Sequence, residues 1–145
     1  MISEKITIKA PIQTVFACIT DIEDYPKFLS EMKSAKIDWC EDKEMEASFR
    51  LNLIKEISYT LHFELDPPSG VYWKLKKGDF LKTNTGSWEL KAKSDTTTEA
   101  KYSIDITFGL WVPSAITNTL VEKSLPQTLK HFKKRAETLF KKSQR

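Results

Sequence analysis

The C-terminal stretch Val112–Lys142 constrains the fold most. Its apolar residues Ile116, Leu120, Leu125, Leu129, Phe132, Ala136 and Leu139 recur at three- to five-residue steps, close to the 3.6 period of a helix. Pro113 and Ser114 suit a first turn, where a missing N–H is no loss. The spacing predicts a helix about 40 Å long, at roughly 1.5 Å per residue. Such a helix is not stable alone in water and must bury its stripe. Pro126 interrupts it: the ring cannot donate to the carbonyl of Glu122, so a bend is expected there. A bent helix with one apolar face needs a curved partner with one apolar face.

The rest of the chain reads as that partner. Ile2, Ile6 and Ile8 alternate with polar residues and predict a first strand, ended by Pro11. Ile12, Val15, Phe16 and Ile19 then fall at helical spacing and predict a short helix through Thr20. Tyr25–Met32 predicts a second short helix, with Asp24 placed to cap it. From Lys36 the period becomes two. Lys36–Glu41 predicts a strand. Met45, Ala47, Phe49, Leu51 and Leu53 predict the next. Ile57, Tyr59, Leu61, Phe63 and Leu65 alternate with Ser58, Thr60, His62 and Glu64, the mark of a strand with one dry and one wet face. Asp66–Gly70 and Lys77–Asp79 are turns around Val71, Trp73 and Leu75. Trp88 and Leu90 mark a strand over 83–93, in which Gly86 suggests a bulge. Ala100, Tyr102, Ile104, Ile106, Phe108 and Leu110 form the last strand. Strand, two short helices, six strands and a long helix predict a two-layer α+β domain over residues 1–145, its sheet curled around the helix.

Composition narrows the function classes. At 40% hydrophobic and 30% charged residues the chain is ordinary for a globular domain. No apolar run approaches the ~20 residues of a membrane span, and the N-terminus lacks the pattern of a signal peptide. A cytoplasmic protein is expected. Cys18 and Cys40 suggest two buried free thiols. His62 falls on a wet strand face, where it could pair with Glu64, and His131 flanks the helical stripe. Neither shows metal or triad spacing, and the four glycines form no phosphate loop. No cofactor, metal site, catalytic set or DNA contact is expected. The charge is uneven: Lys130, Lys133, Lys134, Arg135, Lys141, Lys142 and Arg145 face only Glu137 after residue 126, so the preceding part is net negative. That end is either a solvated helix face or a contact for an anionic partner, through Lys130, Lys133, Lys134 and Arg135.

One stretch is specific. Ala10-Pro-Ile-Gln-Thr-Val-Phe16 followed by Asp21-Ile-Glu-Asp-Tyr-Pro-Lys-Phe-Leu29 resembles the signature of the polyketide cyclase/dehydrase branch of the START and birch-pollen-allergen-like (SRPBCC) superfamily. Gly86-Ser-Trp88 and Leu125-Pro126 match it as well. That branch includes coenzyme-Q-binding proteins and ribosome-association toxins. The resemblance implies the helix-grip fold, with about seven antiparallel strands wrapped around the last helix. It also implies an apolar ligand in a cavity between the two.

By the residues alone, the inward side chains could equally fill a core. With the resemblance they become candidate ligand contacts: Phe49, Leu51, Tyr59, Leu61, Phe63, Trp73, Trp88, Tyr102, Ile104 and Phe108 from the sheet, Phe28 and Met32 from the second helix, Trp111 from the connection, and Ile116 and Leu120 from the last helix. Tyr25–Met32 and Leu110–Ile116 would form the mouth, with Leu110, Trp111 and Val112 able to touch a membrane. Three roles stay open: carrier or chaperone for a lipid or isoprenoid quinone, ribosome-binding protein, and polyketide aromatase/cyclase.

Overall fold

The sheet is continuous from edge to edge. In the computed structural model, which describes residues 2–53, 55–109 and 112–144 (for 120 and 121 the backbone only), seven antiparallel strands run in the order β1-β7-β6-β5-β4-β3-β2. The strands are β1 (Ile2–Ile8), β2 (Met32–Glu41), β3 (Glu44–Asn52), β4 (Glu56–Asp66), β5 (Gly70–Gly78), β6 (Leu81–Ser94) and β7 (Thr97–Phe108). Between β1 and β2 come α1 (Ile12–Thr20), a 3₁₀ turn (Ile22–Asp24) and α2 (Tyr25–Phe28). After β7 the chain is helical from Ser114 to Ser143: α3 (Ser114–Thr119), a π-turn (Leu120–Ser124) and α4 (Leu125–Ser143). The helix-grip fold is thus as expected, a curved sheet holding a long C-terminal helix.

The interruption expected at Pro126 takes a specific form. Pro126 lies in the first turn of α4, immediately after the π-turn. A π-turn inserts one extra residue per turn and absorbs a missing donor without ending the helix. The Thr128 hydroxyl also donates to the Ser124 carbonyl at 2.7 Å. The stripe Leu125, Leu129, Phe132 and Ala136 is buried beyond that point.

Three local expectations are corrected. The second helix stops at Phe28: Leu29 is already extended, and β2 starts at Met32 because Met32 pairs with Leu51 of β3. Sheet pairing overrides the helical spacing of Leu29 and Met32. Asp24 caps nothing; its carboxylate pairs with Lys27 at 2.9 Å and lies 3.7 Å from Arg135. Gly86 is no bulge. The register shifts of the β6–β7 pair fall between Leu81 and Thr83 and between Ala92 and Ser94.

What Gly86 provides is room. Along β6 the inward positions include Asn84, Trp88 and Leu90, all buried. At position 86 the indole of Trp73 occupies the space a side chain would take. A Cβ there would stand 2.6 Å from the Ser103 carbonyl oxygen and as close to the Trp73 ring. The β5–β6 pairing runs only from Gly70/Glu89 to Trp73/Gly86. Beyond it the two strands are bridged by the Trp73 Nε1–H, which donates to Asn84 Oδ1 at 3.1 Å. Gly86→Ala is therefore expected to destabilise by about 1–3 kcal/mol through displaced backbone and indole. Urea unfolding reads this directly, and an unchanged midpoint would show that the strand has slack.

Candidate functional site

A cavity of about 160 Å³ lies between the inner sheet face and α4. Its wall is aromatic. Phe49 of β3, Phe63 of β4, Trp73 of β5, Trp88 of β6 and Tyr102 of β7 all point inward at alternate positions. Phe63 pairs directly with Trp73, and Trp88 with Tyr102. Tyr25 of α2 and Phe132 of α4 close the figure. Ring-to-ring distances run Tyr25–Phe49 6.2 Å, Phe49–Phe63 6.3 Å, Phe63–Trp73 6.2 Å and Trp73–Tyr102 5.8 Å. They continue Tyr102–Trp88 4.8 Å, Trp88–Phe132 5.3 Å and Phe132–Tyr25 5.2 Å. The belt is unbroken and every member lines the cavity. Offset and edge contacts of this kind add to area burial.

Phe132 and Trp88 divide cavity from core. On their far side Ile8, Val15, Cys18, Ile19 and Ala136 close around them with no room for water. Burial there raises the Cys18 thiol to about 12, so it is an inert core thiol, whereas Cys40, near the end of the edge strand β2, is exposed rather than buried as expected. At the other end the cavity reaches solvent. Ser30 and Gln127 line it and are exposed, which places the mouth between the α2–β2 junction and the start of α4.

Among the expected contacts, Met32, Phe49, Leu51, Tyr59, Leu61, Phe63, Trp73, Trp88, Tyr102, Ile104 and Phe108 line this cavity. Phe28 instead packs edge-on against Tyr25 and Phe132, behind the belt. Ile116 is fully buried but is not part of the lining. Leu110, Trp111 and the Leu120 side chain lie outside the described residues. Among the described residues no helix is long and apolar enough to cross a membrane.

Sequence reasoning did not name the polar part of the lining as ligand contacts: Ser30, Glu31, Asn84, Ser124, Gln127, Thr128 and His131. A signal for it exists. Ser124, Thr128 and His131 follow helical spacing one step from the stripe Leu125, Leu129, Phe132, and Asn84 breaks an otherwise apolar inward series on β6. The Ser124 hydroxyl donates to the Glu31 carboxylate at 2.7 Å, tying the π-turn to the α2–β2 junction beside the mouth.

The tyrosine tips differ. Tyr25 donates to the Ile19 carbonyl. Among the described residues the Tyr59 and Tyr102 hydroxyls have no hydrogen-bond partner, so both offer a donor to the cavity. Burial pushes all three phenols up from the usual 10, with Tyr59 adding to the shift at Tyr102.

The outer sheet face holds a separate polar network. His62 pairs across strands with Glu46 at 2.9 Å and Glu44 at 3.4 Å, rather than with Glu64 along its own strand. Lys76, at 2.6 Å, and then His62 hold the Glu46 carboxyl down at about 2. Glu44, His62 and Glu64 come within 4.8 Å of one another, a spacing a metal could use. Both His62 nitrogens already have carboxylate partners, Glu46 and Glu44. At the basic end, Lys133 donates to the Thr7 carbonyl and pairs with Glu137, and Arg135 lies near Asp24 and over the Phe28 ring. Lys130 and Lys134 are exposed.

A phenol that is buried neutral stays protonated while the fold lasts. Stability should therefore be intact below about pH 10 and fall as pH rises above it, because the unfolded phenols release protons first. In an alkaline titration followed by tyrosinate absorbance, Tyr25, Tyr59 and Tyr102 should ionise only together with unfolding. Their ionisation with the near-ultraviolet dichroism still native would show that water reaches them freely.

The polyketide cyclase / dehydrase and lipid transport family model matches residues 8–133. No curated protein matches the sequence. Solved structures share the fold at low identity. The Zhui aromatase/cyclase from Streptomyces sp. R1128 has a TM-score of 0.83 at 13% identity, over 94% of this chain and 92% of its own. A START superfamily protein from Mycobacterium smegmatis has 0.82 at 17%, over 95% and 97%. A STAR-related lipid transfer protein from Xanthomonas axonopodis has 0.74 at 14%, over 92% and 84%. At these identities the likeness is one of fold. The match across most of the length, the motif before α2 and the cavity under the grip agree, and the chain belongs to the polyketide cyclase/dehydrase and lipid transport family.

Proposed function

We propose that this protein is a carrier or chaperone for an apolar small molecule, of the lipid or isoprenoid-quinone class, held between sheet and α4. The observation that supports this most is the cavity: an apolar space ringed by aromatic side chains and open to solvent at one end. A core of ordinary density would have no such space. The unpartnered Tyr59 and Tyr102 hydroxyls suit the few orienting hydrogen bonds a ligand needs. The same two phenols beside an aromatic slot also suit a polyketide aromatase/cyclase, which turnover of a poly-β-ketone would reveal.

Leu61 and Ile104 line the cavity in mid-strand. In a close-packed core, Leu61→Trp or Ile104→Trp would cost about 1–3 kcal/mol. In a ligand cavity the indole fills space, so the melting temperature should hold or rise while ligand is lost. Tyr59→Phe and Tyr102→Phe should weaken binding by about 1 kcal/mol without a volume effect. Native mass spectrometry of the purified protein, with organic extraction, measures occupancy. Strong destabilisation of both Trp variants, with wild type empty, would reduce the aromatic belt to core.

Ribosome contact is the reading favoured by the exposure of Lys130 and Lys134. If they meet RNA phosphates, affinity falls steeply with salt, and Lys130→Gln with Lys134→Gln should flatten that dependence. Absence of co-sedimentation with ribosomes at low salt would remove it.

A further inference from the structure

We propose that Glu31 selects the ligand by its polar end, so that the cavity takes an apolar body bearing a neutral or cationic hydrogen-bond donor and rejects carboxylates and phosphates. This rests on the ligand-binding reading above and narrows it to ligands with a donor, such as a lipid alcohol or a quinol rather than an oxidised quinone. Among the described residues lining the cavity there is no Lys, Arg or Asp, and Glu31 is the only carboxylate. It is held in place from two sides. Its main-chain carbonyl accepts from the Asn52 N–H at 2.7 Å, and its carboxylate accepts from the Ser124 hydroxyl at 2.7 Å. The carboxylate thus sits on a fixed bridge between sheet and helix beside the mouth.

The nearby cations are turned elsewhere. Lys33 and Arg50 both pair with Glu56, at 3.1 and 3.0 Å, and Lys55 lies over the Phe80 ring at 3.9 Å. Lys123, next to Ser124, is exposed and is not part of the lining. An anionic head entering this cavity would lose water and gain no counter-ion, and Glu31 would repel it. A hydroxyl or ammonium head meets the opposite situation. It can donate to Glu31, the strongest acceptor in the lining, while its apolar body lies against the aromatic belt. His131 is the one other titratable side chain of the lining besides the tyrosines.

The test uses one planar body with three heads: 2-naphthalenemethanol, 2-naphthalenemethylamine and 2-naphthoate, titrated calorimetrically into the full chain at pH 8 in low salt. The alcohol and the amine are expected to bind at least tenfold more tightly than the carboxylate. Glu31→Gln, checked for an unchanged melting temperature, should bring the three within about threefold of one another. Ser124→Ala keeps the carboxylate but removes its hydroxyl donor, and should widen the advantage of the amine. This variant provides the test if Glu31→Gln does not fold. Binding of naphthoate as tight as the alcohol in wild type, or an unchanged spread in Glu31→Gln, would overturn the selection by Glu31 and leave the carrier reading standing. Absence of binding for all three would overturn both.

Discussion

The fold depends on one helical side chain seated against the sheet. Phe132 touches the rings of Tyr25, Phe28 and Trp88, at 5.2, 5.1 and 5.3 Å, and so joins α2, α4 and the centre of the sheet in one contact. On its N-terminal side Leu125, Thr128 and His131 line the cavity, and on its C-terminal side Ala136 joins the tight core with Val15 and Ile8. A helix can grip a sheet only where its stripe is buried, and the stripe from Leu125 to Ala136 is where that happens. The π-turn ahead of it lets the helix continue past Pro126 while the anchored segment keeps its register.

Much of this was legible in the sequence because the two periodicities are clean. Period two over Ile57–Leu65 and period 3.6 over Leu125–Leu139 decide which side chains face each other, and they put Phe49, Tyr59, Leu61, Phe63, Trp73, Trp88 and Tyr102 on the inner face, though not Ile57, Val71, Leu81 or Ile106 among the cavity contacts. The motif before α2 supplied the fold family, which periodicity alone does not. What was not legible depends on tertiary pairing. Leu29 and Met32 keep helical spacing, yet Met32 is drawn into β2 by its partner Leu51. Gly86 looks like a bulge in sequence, and only the indole of Trp73, thirteen positions earlier, explains it. The polar lining escaped notice because Ser124, Thr128 and His131 are hydrophilic residues beside an apolar stripe, which in most helices simply face water.

The charged residues show the same dependence on context. A run such as Lys133-Lys134-Arg135 reads as a basic patch, but α4 turns its members in different directions. Lys133 reaches the end of β1, Arg135 covers Phe28, and Lys134 remains outside. Two of the three therefore help fasten the helix to the body. Exposed pairs of this kind contribute little each, so their effect is mainly to fix how the helix is rotated over the sheet.

The aromatic rings of the lining come mainly from the sheet, while α4 and its π-turn add Ser124, Gln127, Thr128 and His131. Part of the chemical preference is thus carried by a segment separable from the part that sets the shape. Substitution at a belt position disturbs neighbours on two strands, whereas Gln127, Thr128 and His131 stand on one helical face with the anchoring stripe beside them. Inheritance can vary the helical face while the sheet stays fixed. A single scaffold can then acquire new ligand preferences by small steps, none of which requires the molecule to refold.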